Sequence, residues 1–157
     1  MRTLAFAMLL AASSTAFATD YDILPGTGCV AADGDMAPMI SHWAGMASNI
    51  DTSERILVEC PILHYSGATS LSVIVYAIDD SSRSSVECQL KARTLSTTSE
   101  YGTAKTSSTS GASTTPTALS LSSKSVGTGT MAYLTCYIPE DSGAVESAIV
   151  GYKVTEL

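Results

Sequence analysis

Leu71-Ser72-Val73-Ile74-Val75-Tyr76-Ala77-Ile78 is the stretch on which the fold turns. It is nearly continuous in β-branched, aliphatic and aromatic residues and runs into the turn cluster Asp79-Asp80-Ser81-Ser82, so it reads as a strand. With almost no polar face, it is expected to be a central strand covered on both sides.

Working outward, the neighbouring segments keep a period of two. Upstream, Ile56, Val58, Cys60 and Ile62 share one face while Glu59 points the other way. Downstream, Val86, Cys88 and Leu90 alternate with Glu87 and Gln89, and Leu134, Cys136 and Ile138 alternate with Tyr133, Thr135 and Tyr137. Pro139 ends that last strand, residues 140–143 make a loop, and Ala148 to Thr155 reads as the terminal strand. No internal repeat is present. This pattern predicts an all-β antiparallel β-sandwich, jelly-roll or Ig-like.

Two segments break the rhythm. Thr94 to Thr130 holds 21 serines and threonines in 37 residues. Threonine favours strands, and Leu119 and Leu121 keep the period of two, so two solvent-facing strands around a Gly111 to Pro116 loop are expected rather than a disordered linker. In Met36 to Asn49, the residues Met36, Ile40, Trp43 and Ala47 fall at helical spacing, but Pro38 and Gly45 weaken a helix. A short helical turn or irregular segment that packs Trp43 onto the sandwich is expected there.

The chain has 157 residues and a formal net charge of −7, enough for one domain. It carries no basic stripe from which counterions could be released, which argues against nucleic acid and against anionic membrane surfaces as partners. Arg2, the apolar run Leu4 to Ala12 and Ala16-Phe17-Ala18 form the successive parts of a secretory signal with an A-x-A cleavage site. The expected organisation is a signal peptide over residues 1–18 and a single β-sandwich domain over 19–157. The chain would be secreted into the periplasm or the extracellular space, with no membrane insertion after cleavage.

Export to an oxidising compartment makes disulfides the natural fate of the four cysteines, which allow three pairings. The expected pairs are Cys29 with Cys60 and Cys88 with Cys136. The second rests on both cysteines facing inward from separate strands, where a bridge can staple the sandwich core. Each closed loop is worth about 3.5 to 4 kcal/mol on the chain-entropy model.

Catalytic chemistry is hard to assemble from these residues. The only histidines are His42 and His64, no G-x-S-x-G is present, and Ser66 near His64 is not selected as a nucleophile by any motif. A small hydrolase using His64 or His42 is the alternative to a non-enzymatic reading. The close acidic pairs Asp33 with Asp35 and Asp79 with Asp80 lie among glycine and serine, where Asp serves turns, although Asp33-Gly34-Asp35 also offers oxygen ligands suited to calcium. No cofactor is implied. Tyr133, Thr135 and Tyr137 form a row on the face opposite Cys136, a candidate surface for sugar rings or a protein partner.

The ordered motifs Cys29, Cys60-Pro61-Ile62, Val86-Glu87-Cys88-Gln89-Leu90, Tyr133-Leu134-Thr135-Cys136-Tyr137-Ile138-Pro139 and Tyr152-Lys153-Val154-Thr155-Glu156 resemble a family of small exported bacterial β-sandwich proteins without an assigned activity. The likeness covers nearly all of the chain after residue 18. It departs at Met36, Met39, Trp43 and Met46, where the family is more polar. The resemblance implies export, a sandwich and two disulfides, and no reaction. The expectation is therefore a secreted, non-enzymatic binding or extracellular structural module, with a polysaccharide or a cell-surface protein as partner.

Overall fold

The computed structural model describes residues 21–64, 67–96, 99–100, 104–142 and 145–157; the expected signal peptide lies outside them. Eleven strands are found among these residues: β1 (Tyr21–Pro25), β2 (Val30–Ala31), β3 (Ile40–Trp43), β4 (Met46–Asn49), β5 (Ile56–Ile62), β6 (Ser70–Asp79), β7 (Glu87–Thr94), β8 (Lys105–Ser108), β9 (Ser113–Ser125), β10 (Thr130–Ile138) and β11 (Ala148–Glu156). They form two antiparallel sheets. One has six strands in the order β3-β4-β11-β6-β9, with β1 also on β11, and the other has five in the order β2-β5-β10-β7-β8. Strands β4 to β11 thus distribute as β4-β11-β6-β9 over β5-β10-β7-β8, the order of a jelly roll, which separates the two sandwich types left open by the sequence.

Strand β6 sits between β11 and β9 as a central strand should. Only one of its faces is covered, however. Leu71, Val73, Val75 and Ala77 are buried in the inter-sheet core, while Tyr76 on the other face is 40% exposed and Ile74 is half-buried. Each large inward side chain contributes about 1.5–3 kcal/mol of burial. The continuous apolar run therefore supplies a core face and an apolar outer face, and nothing among the described residues closes over the latter at Tyr76.

Both expected disulfides are present, Cys29–Cys60 and Cys88–Cys136. The second joins inward cysteines on separate strands, as expected, and those strands are neighbours within one sheet. Cys88 is the register partner of Cys136 on neighbouring strands β7 and β10, and Cys29 precedes β2, whose Val30 faces Glu59. Both bridges link adjacent strands of the five-stranded sheet on its inward side, because inward phase sets the face of a cysteine and leaves the partner strand open.

Hydrogen bonds add to the apolar packing between the sheets. Tyr152 on β11 is buried and donates its hydroxyl to the Pro61 carbonyl on β5 at 2.6 Å. Burial pushes its phenol up to about 12. At one end of the sandwich, buried Asn49 donates through Nδ2 to the carbonyls of Glu54, Ile138 and Pro139 and accepts from the Asp51 N–H. Nearby, Asp79 accepts from the Ser81 and Val86 N–H groups and from the Thr109 hydroxyl, and Glu140 accepts from the Ser81 and Ser84 hydroxyls. Burial opposes the charged form of Glu140, yet its own backbone N–H, Ser84, Ser81 and the Arg83 charge together hold the carboxyl below its usual range. Asp79, Ser81, Thr109 and Glu140 thus form a buried polar knot, satisfied as low-dielectric surroundings demand.

Two irregular segments also resolve. Residues 36–49 hold the end of a 3-10 turn over Gly34–Met39 and the β3–β4 hairpin, not a helical turn that packs Trp43 inward. Ala44 and Gly45 have φ of 50° and 87°, the double positive φ of a two-residue hairpin turn whose twist suits the flanking strands. That hairpin leaves Trp43 on the outer side, 53% exposed. In the Ser/Thr-rich stretch, the expected pair of strands exists as β8 and β9, but they belong to different sheets and Pro116 lies within β9 rather than in a loop. A proline is tolerated there because β9 is an edge strand, with register irregular between Ala77 and Asp79 of β6. Residues 97–98 and 101–103 lie outside the description.

Two strands share one edge of β11. β4 pairs with Ala148 and Ile149 of β11, and β1 then takes over the same edge from Gly151 to Thr155. The changeover needs Gly26, where an added Cβ would stand 1.9 Å from the Ile149 carbonyl oxygen. No helix among the described residues is long and apolar enough to cross a membrane.

Candidate binding face

The outward side of the five-stranded sheet carries the row expected from the sequence. β10 lies between β5 and β7, so the outward positions form cross-strand triplets: Pro61, Tyr133 and Lys91; Glu59, Thr135 and Gln89; Leu57, Tyr137 and Glu87. The three row residues do share a face. They are not equally open to a ligand. Thr135 is only 7% exposed, and the Arg55 guanidinium sits 4.3 Å from the centroid of the half-buried Tyr137 ring, capping it by a cation–π contact.

Tyr133 is different, because it lines a shallow groove of about 300 Å³ together with Val30, Glu59, Pro61, Arg93 and Met131. Val30 is 57% exposed on the short edge strand β2, and Met131 accepts a contact from Arg93 Nη2 at 3.7 Å through its sulfur. The groove therefore combines one aromatic ring, aliphatic walls, an acceptor carboxylate and a donor guanidinium. Lys91 is engaged with Glu100 at 3.2 Å beside it. Such a surface can stack on the apolar face of a ring and hydrogen-bond its polar edge, with acceptor and donor on offer together.

Arg55, Glu59 and Arg93 were missed as neighbours of the tyrosines. Their outward phase was readable, since the alternation that turns Cys88 and Leu90 inward turns Lys91 and Arg93 outward; the missing information was the register that sets them beside Tyr133.

The histidines are placed apart. His42 Nε2 donates to the Cys29 carbonyl at 2.9 Å, and His64 Nε2 donates to the Thr130 carbonyl at 3.1 Å. As donors to backbone, these nitrogens are not set to take a proton from a serine. Ser66 lies outside the described residues. Asp33 accepts from the Asp35 N–H at 3.1 Å and caps the 3-10 turn that follows, the turn role expected for such a pair.

No protein-family model matches the chain, and no curated protein matches it. Its fold is similar to that of the CBM36-1 domain of a multidomain xylanase from the hindgut metagenome of Trinervitermes trinervoides, at 12% identity, with a TM-score of 0.53 and coverage of 86% of this chain and 96% of that one. It is also similar to a family 35 carbohydrate binding module from Clostridium thermocellum, at 11% identity, a TM-score of 0.51 and coverage of 86% and 97%. At these identities the likeness is one of fold, and it assigns the chain to the β-sandwich architecture that those modules share.

Proposed function

We propose that this chain is an exported, non-enzymatic binding module that holds a polysaccharide, or a glycan on a cell-surface protein, in the groove beside Tyr133. The observation that carries the reading is the half-buried Tyr133 ring set between Glu59 and Arg93 on an outward sheet face. Support comes from the names of the two similar structures, one a carbohydrate binding module and the other a CBM36-1 domain of a xylanase. The leader-like residues 1–18 and the two disulfides support passage through an oxidising compartment.

Electrophoresis of the full chain through gels containing soluble xylan, galactomannan or mixed-linkage glucan tests the reading. Retardation by at least one glycan is expected, and Tyr133→Ser should weaken it about tenfold, the worth of one aromatic stack. Equal retardation of the wild type and Tyr133→Ser would remove the groove from the proposal. Ester, peptide or glycoside turnover that depends on His42 or His64 would replace it with the hydrolase.

A further inference from the structure

The six-stranded sheet has its own outward row, and it runs across the strands. Trp43 on β3 is the register partner of Met46 on β4. Ala47 pairs with Ile149 on β11, which brings Met46 level with Val150. The register shift between Ile149 and Gly151 then sets both Val150 and Gly151 against Tyr76 on β6. Inward neighbours Ala47, Ile149, Val75 and Ala77 are core residues, which fixes the row on the outer side.

Its two ends are open aromatic rings, Trp43 at 53% and Tyr76 at 40% exposure. Three strand spacings separate them, roughly 14 Å. Between them the surface is low, because Met46 and Val150 are half-buried and Gly151 has no side chain. A depression of about 380 Å³ lies at the Tyr76 end, over Val150 and Gly151, bounded by Tyr76 on one side and by Ile23 and Pro25 of β1 on the other.

The tryptophan is held in place. Its indole N–H donates to Glu146 Oε2 at 3.4 Å, and the same oxygen accepts from the buried Ser48 hydroxyl at 2.5 Å. A ring fixed before a ligand arrives loses little freedom on binding. The face thus offers two platforms, a low apolar surface between them with a depression at the Tyr76 end, and an acceptor carboxylate at the Trp43 end.

We infer that the outer face of the six-stranded sheet is a second ligand face, which takes a neutral polysaccharide chain laid across the strands from Trp43 to Tyr76. Such a chain presents apolar C–H faces to the rings and hydroxyls to Glu146. An anionic polymer would meet Glu146 and a net charge of −7, and a second copy of the chain would bring the same charge. This face shares no residue with the groove at Tyr133 and lies on the opposite side of the sandwich. With both occupied, one domain bridges two polysaccharide strands.

The chain has one tryptophan, so its fluorescence reports on this face alone. Titration of the full chain with cellohexaose, xylohexaose, mannohexaose and laminarihexaose should give a saturable change with at least one of them. Tyr76→Ala should weaken that binding about tenfold or more, with an unchanged melting temperature showing that the outward position is tolerated. Tyr133→Ser should leave the fluorescence titration unchanged, and Trp43→Ala should reduce retardation in the matching polysaccharide gel. The inference is overturned by a silent tryptophan across all four probes, by a response indifferent to Tyr76→Ala, by a stronger response to choline than to any sugar, or by a protein-concentration-dependent response that sedimentation traces to a dimer. Loss of the Tyr133 effect alone would sink the groove and leave this face standing.

Discussion

The Tyr152 hydroxyl reaches across the core from β11 to the carbonyl of Pro61 on β5, at 2.6 Å. It is a direct polar tie between the sheets, in a sandwich whose two disulfides both lie within one of them. Tyr152→Phe keeps the ring and removes the donor, leaving a carbonyl without its partner, and should cost about 1–2 kcal/mol in denaturant unfolding. Burial of the same phenol predicts an alkaline limb. The unfolded phenol ionises near 10.0 and the folded one near 12, so between these values the folded state holds more protons and stability falls as pH rises. The Phe variant should show a flatter limb.

On the acid side, the sign reverses. The hydroxyl and backbone N–H of Ser53 and the N–H of Glu54 hold Asp51 below its ordinary value of 3.8, and Glu140 is held below 4.5. Their contributions are present above those pH values and are lost as pH falls through the folded ones, because the unfolded chain then binds more protons. Urea midpoints between pH 7 and pH 2 should drop at the acid end. Glu140→Gln should lower the neutral midpoint and shrink that drop.

Gly26→Ala places a methyl group against the Ile149 carbonyl, at an ideal separation of 1.9 Å, with backbone on both sides. Neither strand can give way cheaply, so a loss of about 3 kcal/mol or more is expected. Gly34→Ala, with nothing within 4 Å of the new atom, is the control and should change thermal stability by only a few tenths of a kcal/mol.

Non-reducing peptide mapping should recover Cys29 joined to Cys60 and Cys88 joined to Cys136. Removing the second bridge as a paired Cys88→Ala, Cys136→Ala variant opens a loop with a sequence separation of 48, and a loss of up to about 4 kcal/mol is expected in chemical denaturation.

Much of this architecture was legible because period-two alternation reports a strand and its faces directly. Cys88 and Cys136, Val58 and Ile62, and the outward tyrosines all fell on the faces expected of them. Register was not legible, and register decides neighbours: it put the disulfides within a sheet, Arg55 over Tyr137 and Met46 level with Val150. Ala44-Gly45 escaped because alanine at positive φ is a poor hairpin signal, so Trp43 read as helical and inward. Ile74 and Tyr76 misled in the opposite sense. An apolar residue on a strand shows affinity for a covering surface without showing that this chain supplies it.

The pairing of β1 with β11 sets Tyr21 directly opposite Thr155, so the outer ends of the first and last described strands lie side by side. Tension applied between them would load the β1–β11 ladder as a zipper, opening one rung at a time, and neither disulfide crosses that ladder to stop it. Adjacent ends also make the domain easy to host within a loop of another protein, since the gap left in the host would be spanned by about one strand spacing, close to 5 Å. The sandwich would then be displayed as a pendant with both broad faces free.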